Sequence, residues 1–455
     1  MSRRPLVLAL ALALPFTANA ADLLQTYDLA RTGDPQLSAA ESNRLFNKEG
    51  AVQARGALLP QISGDARLTR SKSKPDGGSW TDSSTSRSYG LVASQTLFDW
   101  RRISDLRGQK AISQAADYDL ASANNELITR TSASYFNVLV GIESLAAAET
   151  NEAASKKQFH YAQKRLDVGL APITDVHEAR AQYDSARADT ILARNALDDA
   201  YRALTEITGQ PVVNLKGLPD DFRPELPPEQ NAESWVTRAV EQNPALKSRE
   251  YQVQSAEFGV SSARAGHYPT LSLNGSYGRD AAWGGSSPIG SSSFDGDSQS
   301  IGVTLSVPIF SGGITQSQVR QALAQRDIAQ DTYEQQKRAL VRNTSSAYQA
   351  LVAGVSEVEA RRLAVVSAQA ALGASQVGLE VGTRTVLDVL QNQRTLFQAQ
   401  VEYASSKYQF LQNRLSLEQA AGTLDVNDLQ DINRLLTADA EARLKPSDTV
   451  RDNIQ

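Results

Sequence analysis

Side chains able to do chemistry are few in this sequence, and they are scattered. The three histidines are His160, His177 and His267, and the absence of cysteine excludes thiol nucleophiles, disulfides and thiolate metal sites. His177-Glu178 lacks the second histidine of a zinc motif, and no G-x-x-x-x-G-K-[ST] phosphate loop or G-x-S-x-G nucleophile elbow occurs. We therefore expect neither an enzyme nor a bound cofactor.

Two aspartates, Asp175 and Asp388, stand at the start of predicted helices. Thr385 to Asp388 matches the S/T-x-x-D/E capping box, in which the first helical turn satisfies its own free N–H groups. Asp175 with Glu178 is compatible with a cap at the other turn. Local sequence leaves a capping role and a functional role equally open, and the two roles are compatible with each other.

The overall charge is mildly acidic, since 46 basic residues face 51 acidic ones and the formal net charge is -5. Basic residues cluster only in pairs, such as Lys156-Lys157 and Arg361-Arg362. A nucleic-acid-binding protein typically carries a basic patch or stripe, so we expect no nucleic-acid partner.

The first twenty residues have the pattern of a secretory signal peptide. Arg3 and Arg4 precede an apolar run at 6–14 that is too short to span a bilayer, and a small-x-small cleavage site follows at 18–20. We expect residues 1–20 to be removed. No later stretch approaches the ~20 apolar residues of a spanning helix, so strands would have to make any membrane crossing.

The rest of the sequence contains an internal duplication. Val168-Gly169 and Asp175 recur as Val381-Gly382 and Asp388 at a shift of 213 residues. A shift that holds over long stretches indicates a duplicated unit. The predicted divisions are a first repeat at 21–209, a proline-rich linker at 210–231, a second repeat at 232–422 and a tail at 423–455.

Each repeat contains one predicted strand hairpin, at 62–98 and at 270–310, where apolar and polar side chains alternate. The hairpin tips, at 75–86 and 280–299, are rich in Gly, Ser and Asp. Strand spans of about ten residues suit both a soluble sheet and a tilted membrane strand. The strands alone leave both possibilities open.

Helices are predicted for most of the remainder. After Asp175, small and apolar residues follow a strict 3,4 spacing from Val176 to Ile207, which predicts a narrow coiled-coil seam. The spans at 99–168 and 312–381 predict helices of about 105 Å. Shorter helices are predicted at 22–56, 173–208, 232–266 and 386–421.

Such helices have no globular core of their own, so neighbouring chains must bury their seams and we expect an oligomer. Four strands per chain cannot close a membrane barrel, because the smallest such barrels have about eight strands. Three chains would supply about twelve, which falls within the known range.

The sequence resembles the TolC-type outer-membrane factors across residues 22–424. The resemblance rests on the duplication and on Leu58-Leu59-Pro60-Gln61, 133–139, Val168-Gly169-Leu170, 173–176, 179–184, Val381-Gly382-Thr383-Arg384-Thr385 and 387–390. It implies a mixed α and β membrane fold with four strands per chain. Three chains would form a twelve-stranded outer-membrane β-barrel, continued by a long periplasmic α-helical barrel.

The resemblance also implies a function and partners. The protein would be an outer-membrane exit duct for drug efflux or type I protein secretion, gated at its periplasmic end by helical hairpins. The implied partners are two further copies of the chain, outer-membrane lipid, a periplasmic adaptor and an inner-membrane ABC or RND transporter. The alternative is a non-transporting trimeric coiled-coil structural or adhesive outer-membrane protein, although such proteins usually carry one anchor and a long stalk.

The resemblance assigns a pore constriction to Asp388, one carboxylate from each chain of the trimer. The family often has a second aspartate one turn later, where this sequence has Gln391. The implied constriction therefore carries fewer negative charges and attracts cations less strongly.

The resemblance also assigns a gate latch, in which Arg384 ties the inner hairpin to the outer one through Thr174 and Asp175. A tyrosine often assists the latch from the position of Leu379, so its hydroxyl is missing here. The implied closed state depends more on Arg384 and Asp175, or is looser.

The last implied site is adaptor docking on the two helix turns. Gly169 and Gly382 could equally serve only to end the preceding helices in the left-handed conformation. The six turn residues concerned are Val168, Gly169, Leu170, Val381, Gly382 and Thr383.

Overall fold

The computed structural model of the chain describes residues 22–444, apart from 73, 75–77, 79–82, 228–230, 285, 288–289 and 292. The predicted signal peptide at 1–20 and the end of the predicted tail, 445–455, lie outside the described residues. The helices are α1 Leu23–Gly33, α2 Pro35–Gly56, α3 Trp100–Asp167, α4 Ile173–Thr208, α5 Ala232–Gln242, α6 Pro244–Arg264, α7 Ile314–Glu380, α8 Val386–Ala421 and α9 Val426–Leu435. The strands are β1 Gln61–Ser71, β2 Ser84–Phe98, β3 Lys216–Gly217, β4 Thr270–Trp283, β5 Ser286–Ser287, β6 Gly290–Ser291, β7 Phe294–Ser306 and β8 Ala438–Asp439.

The described chain divides into two compact units. The sheet unit comprises 39–122 and 244–339, and the turn unit comprises 22–38, 123–243 and 340–444. The turn unit contains all of α4 and α8 and the ends of α3 and α7 that lead into the two helix turns. All the predicted site residues therefore lie in the turn unit.

The sheet unit holds a four-stranded antiparallel sheet in the order β1-β2-β4-β7, so β1 and β7 are its edge strands. Many of its apolar side chains are exposed, such as Leu68 at 71% and Ile301 at 81%. The β4–β7 pairing continues to Ala282 opposite Phe294, further than the sequence predicted. One reason is a cross-strand contact near the tip, where Arg279 donates two hydrogen bonds to the Asp295 carboxylate at 2.8 and 3.0 Å.

The helices predicted at 22–56 and 232–266 are each broken, so this prediction was wrong. α1 ends at Gly33 and α2 starts at Pro35, and the same break separates α5 from Pro244 at the start of α6. Proline lacks an N–H and pushes the preceding residue into an extended conformation, which Asp34 and Asn243 adopt with ψ of 118° and 121°. The Asp34 carboxylate accepts the Leu37 N–H at 2.9 Å and so caps α2.

α3 and α7 run without a break for 68 and 67 residues, or roughly 100 Å each. Neither helix contains a proline, and their ends lie within two residues of the predicted spans. Among the described residues, no helix combines the length and the apolar character needed to cross a membrane.

The linker and the start of the predicted tail are folded parts of the turn unit. β3, in the linker, pairs with β8, in the tail. Two buried tyrosines anchor the linker: the Tyr135 hydroxyl donates to the Lys216 carbonyl at 2.8 Å, and the Tyr408 hydroxyl accepts the Leu218 N–H at 3.3 Å. Burial raises the pKa of both hydroxyls well above the usual range, so they stay protonated.

Candidate functional site at two helix turns

The first turn ends α3 with a left-handed glycine. Gly169 has a φ of +72°, the Gly169 N–H donates to the Leu166 carbonyl at 2.9 Å, and the Leu170 N–H donates to the Arg165 carbonyl at 2.8 Å. This pair of bonds is the Schellman motif, in which glycine avoids the strain that a Cβ would suffer.

The second turn repeats the motif at the end of α7. Gly382 has a φ of +79° and donates its N–H to the Leu379 carbonyl at 3.2 Å, while the Thr383 N–H reaches the Gly378 carbonyl at 2.8 Å. Among the described residues, apart from the glycines' own neighbours along the chain, no atom lies within 4 Å of the Cβ position at Gly169 or Gly382. Backbone conformation, and not space, therefore demands both glycines.

The start of α8 forms the predicted capping box. The Asp388 Oδ2 accepts hydrogen bonds from the Thr385 backbone N–H and hydroxyl, both at 2.9 Å, and the Asp388 N–H donates to the Thr385 Oγ1 at 3.1 Å. The two bonds from Thr385 lower the pKa of Asp388, with a smaller contribution from Arg384. The carboxylate is therefore charged at neutral pH.

The equivalent cap at the start of α4 is absent, so the prediction of a cap from Asp175 and Glu178 was wrong. The residue at the capping position is Pro172, which makes no side-chain hydrogen bond to the helix. Proline has no side-chain acceptor, and the Asp175 N–H instead reaches the Pro172 carbonyl at 3.3 Å. The Asp175 carboxylate is left available for another partner.

Arg384 lies on the same turn as Asp388, with its Nη1 4.0 Å from the Asp388 Oδ1. Both side chains are substantially exposed, so this contact contributes little to stability. Within the described chain, Arg384 makes no hydrogen bond or ion pair with Thr174 or Asp175. The latch contact stays a prediction for a neighbouring hairpin.

Leu379 belongs to an apolar cluster, here called the turn core, that joins the ends of all four helices. It is only 7% exposed. The other buried members are Ala162 from α3, Val176 and Ala179 from α4, and Val386, Val389 and Leu390 from α8. At the position to which the resemblance assigned a latch tyrosine, this chain thus has an apolar side chain that packs the two hairpins together.

The outer surface of each turn carries exposed apolar side chains. Val168 and Leu170 are 67% and 68% exposed, and the equivalent Val381 is 68% exposed. Apolar side chains held out on two rigid turns suit a protein partner better than solvent.

A buried polar contact that the sequence did not reveal joins α8 to α3. Gln391 is exposed, but Gln393 is buried and its Nε2 donates to the Asn151 carbonyl, the Asn151 Oδ1 and the Ser155 Oγ, each at 3.0 Å. This contact fixes α8 against α3. Gln393 lies among the polar residues Gln391, Asn392 and Arg394, and no sequence pattern distinguishes it from them.

Comparison with known protein families shows which family this chain belongs to. The sequence pattern of the family described as "Outer membrane efflux protein" matches residues 26–210 and 235–423, which include both turns. The chain belongs to the outer membrane efflux protein family.

Two relatives align with this chain over more than nine-tenths of its length. "Outer membrane protein TolC" of Escherichia coli (strain K12) is 34% identical over 446 residues, which cover 96% of this chain and 88% of TolC. "Alkaline protease secretion protein AprF" of Pseudomonas aeruginosa is 29% identical over 433 residues, covering 91% of this chain and 87% of AprF.

Solved structures confirm the predicted fold class. The Campylobacter jejuni CmeC outer membrane channel superposes with a TM-score of 0.77 at 19% identity, covering 91% of this chain and 90% of CmeC. The Vibrio cholerae outer membrane protein VceC superposes with a TM-score of 0.73 at 18% identity, covering 88% and 96% of the two chains. At such low identity the likeness concerns the fold.

Proposed function

We propose that this protein is the outer-membrane exit duct of a multi-part export system that serves drug efflux or type I protein secretion. The observation that carries the proposal is the family match across both repeats, including the paired turns. The relatives named TolC and AprF support it, because the name of AprF refers to protease secretion. "Cobalt-zinc-cadmium resistance protein CzcC" of Cupriavidus metallidurans, 24% identical over 402 residues, supports an efflux role.

The assembly proposed is a homotrimer in the outer membrane. The sheet has two edge strands, β1 and β7, whose outward hydrogen-bonding groups need partners. Joining β7 of one chain to β1 of the next closes the sheet after three copies and about twelve strands, within the range of membrane barrels. The exposed apolar side chains of the sheet would then face outer-membrane lipid.

The constriction proposed is a ring of three Asp388 carboxylates facing the lumen. Each carboxylate is charged at neutral pH and sits on a helix start fixed by its capping box. Gln391, one turn further along, adds polarity without charge. A single acidic ring would favour cations, though less strongly than two rings.

The gate proposed is a contact between neighbouring hairpins, in which Arg384 bridges to Thr174 and Asp175. Two observations on the described residues support this pairing. The Asp175 carboxylate accepts no hydrogen bond at the start of α4, and the Arg384 guanidinium has only the exposed contact to Asp388 at 4.0 Å. Opening would exchange the Arg384 contact to Asp175 for solvent while the turn core stays packed.

The docking surface proposed for a periplasmic adaptor is the outer face of the turns at 168–170 and 381–383. Exposed valines at equivalent positions of the two repeats support it, since one adaptor motif could engage both turns. The adaptor would connect the duct to an inner-membrane ABC or RND transporter, which selects the cargo.

A trimeric structural or adhesive protein was the alternative suggested by the sequence. Membership of a family of efflux proteins favours the duct.

Reconstitution and deletion together test the proposal. The purified trimer should form discrete ion-conducting channels in planar bilayers, and deletion of its gene should sensitise cells to several unrelated toxic compounds or stop secretion of a protein substrate. A trimer that never conducts, together with unchanged susceptibility and secretion when no second duct is expressed, would refute it.

A further inference from the structure

Glu418, in the last turn of α8, is a buried acid with an incomplete set of partners. The residue is 8% exposed, and its Oε1 lies 3.3 Å from the Arg414 Nε. Within the described chain its Oε2 has no hydrogen-bond partner. A buried carboxylate with one unsatisfied oxygen is costly to keep charged, and a proton removes that cost.

The neighbouring helix α9 adds acidic groups to this site. Asp428 caps α9 together with Asp425, its Oδ2 accepting the Asp425 N–H at 2.9 Å. Asp428 and Asp431 both repel a charged Glu418, and Arg414 is the cation that opposes them. The pKa of Glu418 is raised to about 7, mainly by burial and next by repulsion from Asp428.

A third element, α5, reaches the last turn of α8 through the neutral residue that follows it, Asn243. The Asn243 amide at its end donates to the Gln419 and Ala420 carbonyls at 3.4 and 3.1 Å. The charged groups that act most strongly on Glu418 therefore come from α8 and α9 alone.

α9 holds other parts of the turn unit in place. Its Leu429 and Ile432 are fully buried, and its Asn433 accepts the Leu23 N–H at 3.0 Å and donates to the Asp22 carboxylate at 3.1 Å. α9 thus fastens the start of α1, and it leads into the segment that carries β8.

We propose that Glu418 makes the docking of α9 dependent on pH. α9 is held firmly while Glu418 keeps its proton, and it loosens when that proton is lost and the charged Glu418 is repelled by Asp428 and Asp431 of α9. The start of α1 and the β3–β8 pair loosen with it.

The sign of the pH dependence of α9 docking follows from the raised pKa of Glu418. The pKa of Glu418 in the docked state, about 7, lies above its ordinary value of 4.5, so the docked state binds the proton more tightly than the released state. The stabilisation is complete below the ordinary value and is lost as pH rises through about 7.

Hydrogen–deuterium exchange of the full-length protein in detergent tests this proposal without measuring conduction, so its outcome is independent of the duct function. Amide exchange in 426–435 is followed from pH 5 to pH 9 and corrected for base-catalysed intrinsic exchange. In the wild type the opening constant of α9 should rise by more than about tenfold and level off above the transition. Glu418→Gln should abolish the rise and keep α9 protected throughout, and Glu206→Gln, an exposed control on α4, should behave as the wild type.

A second variant guards against a folding defect in Glu418→Gln. Asp428→Asn keeps an oxygen for the cap but removes the nearest like charge, so the transition should shrink and move to lower pH. A flat corrected profile in the wild type, or an undiminished rise in Glu418→Gln, would overturn the proposal. If Glu418→Gln leaves α9 unprotected at every pH, an unshifted transition in Asp428→Asn overturns it instead.

Discussion

Thr385 and Asp388 hold each other at the start of α8 through three hydrogen bonds of 2.9, 2.9 and 3.1 Å. The residue proposed to charge the constriction is therefore also the residue that caps the helix. A single substitution changes both roles, but two substitutions at the two ends of this contact separate them.

Asp388→Asn should change ion selectivity, whereas Thr385→Ala should change stability. Asn keeps a capping oxygen but removes the charge, so cation preference and block by multivalent cations should fall, and both differences should shrink at ~1 M salt, where the screening length is about 3 Å. Thr385→Ala keeps the charge and loses the cap, which should lower stability by about 1 kcal/mol with little change in selectivity. Reversal potentials in bilayers and thermal unfolding measure the two effects. Unchanged selectivity in Asp388→Asn would mean that Asp388 is only a cap.

Gln391→Asp should strengthen cation preference and multivalent block. The substitution adds three carboxylates to the trimer one helical turn from Asp388, and Gln391 is exposed, so the change should be tolerated. The same bilayer measurements check it, with Arg394→Gln as an exposed neighbour that should have a smaller effect. Selectivity equal to the wild type would place position 391 away from the lumen.

Arg384→Ser and Asp175→Ala should each raise the conductance of the resting channel. Each removes one partner of the proposed contact between hairpins, worth about 1 kcal/mol when solvated, which shifts a two-state gate about fivefold. Arg394→Ser, an exposed arginine on α8 ten residues after Arg384, serves as the matched control. If both latch variants conduct like the control, closure depends on other groups, with the turn core the next candidate.

Gly169→Ala and Gly382→Ala should destabilise the turns by about 1 kcal/mol each, because both glycines have positive φ and a Cβ there is strained. Gly373→Ala, in the exposed interior of α7 with open space around it, should instead stabilise the protein by roughly 0.5–1 kcal/mol. Thermal unfolding of the three variants gives the comparison. Equal effects at all three positions would show that the turn conformation adapts to alanine.

Several features were readable from the sequence because their physics is local. The capping box needs only residues three apart, the Schellman motifs need only a glycine after a helix, and the unbroken α3 and α7 follow from the absence of proline over 68 and 67 residues. The breaks at Pro35 and Pro244 are equally local. The helical spacing of apolar residues continues on both sides of each proline, so the spacing alone predicts one unbroken helix.

Only the tertiary structure decided which of these local features are used. Leu379 is a core residue because helix ends more than 200 residues apart in sequence meet around it. Within the described residues the Asp175 carboxylate has no hydrogen-bond partner, because Pro172 has no N–H to complete a capping box. The pKa of Glu418 is raised because tertiary packing buries its carboxyl and because Asp428 and Asp431, from the separate helix α9, add negative charge that acts on it. Burial and electrostatic energies depend on every neighbour in space, and a one-dimensional pattern records only the neighbours along the chain.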